Sequence, residues 1–168
     1  MPNRMDSMLS KGAGMMKGVK ARLEGLTGVF KTLAEQHGEV AAMLKRLQSK
    51  PEKKPELWPE IRRELLSHER GEVREVYPVL RQHVQTRALA EHHDQEAAEM
   101  ERLIERIDTA MADDWRPLFD QLVDAVIHHA NQEESDIFPK AQEAIGDKAT
   151  KDLEHRFLAA KKQVMATA

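Results

Sequence analysis

Two stretches of this chain repeat one pattern of residues able to bind a metal. HERGEVREVYP begins at His68 and ends at Pro78, and HANQEESDIFP begins at His129 and ends at Pro139. Each has Glu four residues after the His, an aromatic nine after and Pro ten after, so His68 goes with Glu72 and His129 with Glu133. On an α-helix a four-residue step puts both side chains on one face, about one turn apart. Each His-x-x-x-Glu can therefore reach a shared interior point from its own helix.

The repeat extends upstream. His37 is followed by Leu44 and Leu47, and His93 by Met100 and Leu103, at equal offsets. The chain reads His, His-x-x-x-Glu, His, His-x-x-x-Glu, as two helix pairs related by a pseudo-twofold. Imidazoles with carboxylates suit iron, manganese or zinc. Cysteine is absent, which excludes disulfides, zinc ribbons, iron–sulfur clusters and thiol nucleophiles. In a dinuclear site a carboxylate can bridge ions about 3.5–4 Å apart while histidines cap the outer faces. The candidate ligands are His37, His68, Glu72, His93, His129 and Glu133. One such histidine alone is ordinarily a satisfied core residue; four at matching positions reverse that reading. Burying Glu72 and Glu133 without partners costs about several kcal/mol each, and no Arg or Lys recurs at matching positions to neutralise them.

Neighbouring residues offer a second register. His92 with Glu96 makes a third His-x-x-x-Glu, but His92 points about 100° away from His93, off the stripe of Leu89, Ala97, Met100 and Ile104. His128 pairs only with Gln132. Tyr77 and Phe138, nine residues after their histidines, fall half a turn from them on a straight helix. They are expected outside the site, under the terminal helix.

With Tyr77-Pro78 and Phe138-Pro139 closing the second and fourth helices, the stretch from about Leu33 to Pro139 resembles the hemerythrin HHE cation-binding family. The resemblance implies an up-and-down bundle around two iron ions, oxo- or hydroxo-bridged, with manganese or zinc able to use the same ligands. It implies dioxygen, peroxide or nitric oxide as the small ligand, in oxygen binding, sensing, iron handling or redox chemistry. One departure matters. Oxygen-carrying hemerythrins have a second histidine four residues after the third-helix ligand, and here that residue is Ala97. Glu69 and Glu96 are the neighbours that could fill the position. The change moves the expectation from plain oxygen carriage towards peroxide or redox chemistry, including a catalase- or peroxidase-like diiron enzyme. A metal-free helical interaction module is a further alternative. A ferritin-like site is set aside, because no histidine here has Glu three residues before it.

Elements that could position these residues follow from apolar spacing. Helices are expected from about Val19 through Leu47, Leu57 to His83, Thr86 to Ala112 and onward from Asp113-Asp114 to Pro139, with a short terminal helix over Lys148 to Met165. The fold expected is all-α: an up-and-down antiparallel four-helix bundle over 19–145, a loose tail over 1–18, and a C-terminal helix over 146–168 packed on the bundle. At 168 residues, with 33% charged and 4% aromatic, the composition favours helices on helices. A net charge of −3 supplies no basic field for nucleic acid. No apolar run approaches the roughly 20 residues of a membrane span, and Met1 to Lys20 lacks the apolar centre of a signal peptide. The cytoplasm is the expected location, and the oligomeric state stays open.

Overall fold

The computed structural model describes residues 25–167, and every regular element among them is helical. The expected tail over 1–18, and the first helix's start from Val19, lie outside the described residues. Helix α1 spans Gly28–Ser49. Residues 25–27 are not helical, and Gly25 and Gly28 take φ of 88° and 52°. A side chain at Gly28 would also sit 2.8 Å from the backbone of Thr150, so only glycine permits that close approach.

A 3-10 turn, Pro51–Lys53, leads into α2, Lys54–Gly71. The remaining helices are α3 (Tyr77–Leu80), α4 (Val84–Ala90), α5 (His93–Thr109), α6 (Ala112–Gln132), α7 (Phe138–Ile145) and α8 (Asp147–Met165). The helix expected over Thr86 to Ala112 is broken at Glu91-His92, where His92 takes φ −94° and ψ −7° and the backbone turns.

Two π turns, Glu72–Val76 and Glu133–Ile137, join α2 to α3 and α6 to α7. Pro78 and Pro139 are their cause: proline has no N–H to return to the fourth residue back, so the α-helical ladder cannot run straight through. The slack closes one residue wider. Tyr77 N–H donates to the Glu72 carbonyl and Phe138 N–H to the Glu133 carbonyl, each five residues back. The second and fourth rods therefore continue past their prolines instead of stopping there.

Cross-helix partners give the rod directions. Thr27 meets Gln142, His37 meets Glu134 and Gln48 meets Asp120, so α1 runs antiparallel to the rod of α6 and α7. Trp58 meets Asp108 and Arg70 meets Glu101, so α2 runs antiparallel to α5. Helix α8 lies along α1 and α2. It runs parallel to α1, through Thr32 with Glu154 and Gln36 with Lys161. It runs antiparallel to α2, through Glu64 with Lys161 and Glu75 with Arg156. Gly71 lets it come close, since a Cβ there would sit 2.8 Å from the Phe157 ring.

The core divides in two. One apolar cluster holds Leu44, Leu47, Ile61, Ile104, Trp115 and Phe119; the other holds Phe30, Leu33, Tyr77, Leu80, Phe138 and Phe157. On every rod the candidate ligands fall between the two: His37 after Leu33 and before Val40, His93 after Ala90 and before Met100. The sequence stripes are thus apolar, polar, apolar along each helix, and burial of the ends holds the polar middle dry. Among the described residues no helix is long and apolar enough to cross a membrane.

Candidate metal centre

All six residues singled out by the repeat converge between the two apolar clusters. His37, His68, Glu72 and Glu133 offer ligand atoms within 4.8 Å of one another, and Glu69, Glu72, His93 and His129 do the same. Every one of these seven side chains is buried, Glu72 and Glu133 completely. Glu72 belongs to both groups: its Oε2 lies 3.4 Å from His68 Nε2 and 3.4 Å from His93 Nε2. Glu133 also spans them, with Oε2 3.2 Å from His37 Nε2 and Oε1 3.3 Å from His129 Nε2.

The alternatives sort cleanly. Glu69 enters the second group, its Oε2 3.8 Å from His93 Nε2 and 3.9 Å from His129 Nε2. Glu96 instead sits behind a ring, accepting from His129 Nδ1 at 3.0 Å. His92 is exposed, as its position off the apolar stripe required, and His128 is exposed too.

Hydrogen bonds on the far side of the rings aim the near side. His37 Nδ1 faces Glu134 Oε1 at 2.8 Å, and His68 Nδ1 faces Gln36 Oε1 at 3.0 Å. With the Nδ1 protons so engaged, the Nε2 atoms point inward, where a bound cation would take their lone pairs. There they find few donors. Glu69 Oε2 and Glu72 Oε1 are buried with no hydrogen-bond partner, while Glu133 meets only the inward nitrogens of His37 and His129 and the Tyr77 hydroxyl. Orphaned acceptors crowded together are costly unless cations join them. A donor set made only of nitrogen and oxygen fits hard or borderline divalent and trivalent ions.

Without cations, protons take their place. Burial works against charge on His37 and His129, yet the Glu133 carboxylate, with Glu134 beside the one and Glu96 beside the other, pushes His37 up to about 9 and His129 up to about 12. Burial raises Glu69 to about 7 and, with Glu133 nearby, lifts Glu72 well above the carboxylate range. Burial acts the same way on Glu133, but His129 and His37 outweigh it and hold that carboxyl well below its ordinary value. Burial and the neighbouring His37 lower His68.

Tyr77 is the correction to the sequence reading. It is fully buried, stacks on the His93 ring with centroids 3.3 Å apart, and donates its hydroxyl to Glu133 Oε1 at 2.5 Å. Phe138, its repeat mate, stacks on His37 at 5.9 Å. On a straight helix both would face away. The π turn absorbs one residue, which rotates everything after it back by about 100°. Nothing in the pattern marked a π turn except the prolines. Gln36, Glu134 and Lys161 were also missed; Gln36 and Glu134 adjoin ligands in sequence, while Lys161 carried no local signal.

A cleft of about 380 Å³ lies between α5 and α6, lined by Glu96, Met100, Ala125, His128 and His129 among others. It joins the surface to the back of one candidate ligand.

Comparison with known proteins gives a consistent frame. The family described as “Hemerythrin HHE cation binding domain” matches residues 16–141. A curated protein named “DNA nickase”, from Nostoc sp. (strain PCC 7120 / SAG 25.82 / UTEX 2576), is 30% identical over 132 residues, which is 76% of this chain and 37% of that protein. The chain thus spans little more than a third of the length of the curated relative it matches. No solved structure matches the chain.

Proposed function

Because the chain belongs to the hemerythrin HHE cation-binding family, we propose that it is a non-haem diiron protein that binds or reacts with dioxygen, peroxide or nitric oxide. His37, His68, Glu72 and Glu133 would hold one iron ion, and Glu69, His93 and His129, with Glu72, would hold the other. The first four rods form the up-and-down four-helix frame, and α8 packs on it as a fifth.

The observation that carries this reading is the convergence of seven buried imidazole and carboxylate side chains into two overlapping groups, in which Glu69 Oε2 and Glu72 Oε1 have no hydrogen-bond partner. Two bound iron ions supply one-electron steps and coordination positions open to a small ligand. The chain's own residues do the rest. Glu134, Gln36 and Glu96 hold the Nδ1 protons of His37, His68 and His129 outward. Tyr77 keeps a phenolic proton on Glu133 Oε1, and burial, together with the charges of Glu133 and Glu72, raises the phenol so that it stays a donor. The apolar clusters on either side exclude bulk water, and the cleft between α5 and α6 opens to the surface beside His129 and Glu96.

A catalase- or peroxidase-like reaction with hydrogen peroxide is the second reading. Glu69 favours it, since an acid joins the group of His93 and His129, while the residue four after His93 is Ala97. Nicking of DNA is not carried over from the longer relative. The shared region is 37% of that protein, and a net charge of −3 offers no basic track for a phosphate backbone.

Elemental analysis of protein purified without chelator, with absorption spectra before and after oxygen and peroxide, tests the proposal. Two iron ions per chain and a ferric spectrum that reverses when oxygen is lowered support binding. Sustained peroxide turnover, lost in His129→Ala, supports the enzyme. Fully folded protein that takes up no iron, manganese or zinc overturns both in favour of a metal-free module.

A further inference from the structure

We propose that Lys161, on the C-terminal helix α8, is a positioning residue for the metal centre: through Gln36 it decides which ring nitrogen of His68 carries the proton. The inference rests on the metal-binding reading above.

Lys161 is only 7% exposed, although it is a lysine near the end of the chain. Its Nζ donates to Glu64 Oε2 at 2.7 Å and to Gln36 Oε1 at 2.8 Å. An ammonium has donors and no acceptor, so the Gln36 atom facing it must be the carbonyl oxygen. That same oxygen lies 3.0 Å from His68 Nδ1. A carbonyl can only accept, so Nδ1 carries the hydrogen. The neutral ring then keeps its lone pair on Nε2, which points at Glu72 Oε2 and at His37 Nε2, 3.1 Å away.

The other histidines show why a third residue is needed here. His37 and His129 are backed by the carboxylates of Glu134 and Glu96, which accept whichever way they turn. His93 Nδ1 has no hydrogen-bond partner. His68 alone leans on an amide, and an amide has two faces. Turned over, Gln36 would donate from its NH₂ group to Nδ1, and the proton would move to Nε2, into the ligand position. The Lys161 ammonium forbids that turn, because it would set NH₂ against NH₃⁺. Glu64 supplies the charge that makes burying the lysine tolerable. Helix α8 is therefore part of the site and not merely a cover on it.

Two measurements on the full chain test this. In metal-free protein, long-range ¹⁵N–¹H spectra report the tautomer of His68; titration with Co²⁺ alone, followed by its visible absorption, reports affinity. Wild type is expected to show the Nδ1–H form. Lys161→Met keeps the apolar stem and is expected to yield a mixture with Nε2–H, with Co²⁺ bound about 10-fold more weakly at one site. The double variant Lys161→Met/Gln36→Glu restores an acceptor that needs no orienting, and is expected to recover both the Nδ1–H tautomer and the affinity. A purely structural lysine would not be rescued by that change. An unchanged tautomer in Lys161→Met, or no recovery in the double variant, overturns the inference. Should Lys161→Met fail to fold, Gln36→Leu takes its place, and retention of the Nδ1–H form there is equally fatal. Absence of Co²⁺ binding in wild type sinks the metal reading instead, and the tautomer measurement still decides the role of Lys161.

Discussion

Tyr77 and Glu133, on different rods, meet through a 2.5 Å hydrogen bond from phenol to carboxylate inside the cluster of histidines. Both are fully buried. Tyr77→Phe keeps the ring on His93 but removes the shortest hydrogen bond to Glu133 Oε1, leaving His129 Nε2 at 3.3 Å. Losing a hydrogen bond to a buried charged group costs about 1.5–3 kcal/mol. A lower thermal midpoint for the metal-free variant is expected, together with a shifted spectrum of the iron-loaded form. Identical values for both would mean that the contact is incidental.

Glu72 is shared by the two ligand groups, and Glu133 spans them. Glu72→Ala or Glu133→Ala should therefore lose most of the bound metal while far-ultraviolet circular dichroism keeps much of its helical signal. Unchanged stoichiometry in both variants would count strongly against the assignment.

Glu69 and Glu96 were equal candidates for the position left open by Ala97, and their placements now separate them. Glu69→Ala should cost the metal held with His93 and His129, whereas Glu96→Ala should keep both ions and only weaken the second by about 10-fold, as loss of an outer-shell acceptor does. Elemental analysis of the two variants reads this directly. Loss of metal from Glu96→Ala alone would reverse the roles.

Metal uptake should release protons. Burial disfavours the charge on His37 and His129, but the surrounding carboxylates hold them at about 9 and about 12, so both rings are protonated at neutral pH in the metal-free protein. A ligand must give up its proton, so apparent affinity rises as pH rises from 7 towards 9. Calorimetric titrations in buffers of different ionisation enthalpy should differ by the proton count. Buffer-independent heats would contradict it.

Gly71 is where α8 touches the site helix. Gly71→Ala puts a Cβ 2.8 Å from the Phe157 ring, which packs edge-on against His68 at 5.9 Å. Overpacking of this kind costs about 1–3 kcal/mol. A thermal midpoint equal to wild type would show that α8 is loosely held.

The spacing of His68 with Glu72 and of His129 with Glu133, repeated with His37 and His93, was enough to foresee helical rods with these candidate ligands on their inner faces. That follows because an α-helix converts sequence interval into direction at a constant rate, and apolar residues on either side of each ligand declare which face is buried. Tyr77 escaped for the same reason. Its direction depends on a π turn, and the rate of rotation changes there when the chain accommodates Pro78. Lys161 escaped for another: it reaches Gln36 from 125 residues away, and no local interval encodes which side chains a fifth helix will bring to the back of a ring. Sequence alone determined which residues could bind a cation; only the packed chain decided which neighbours aim them, because aiming is done by hydrogen bonds between helices.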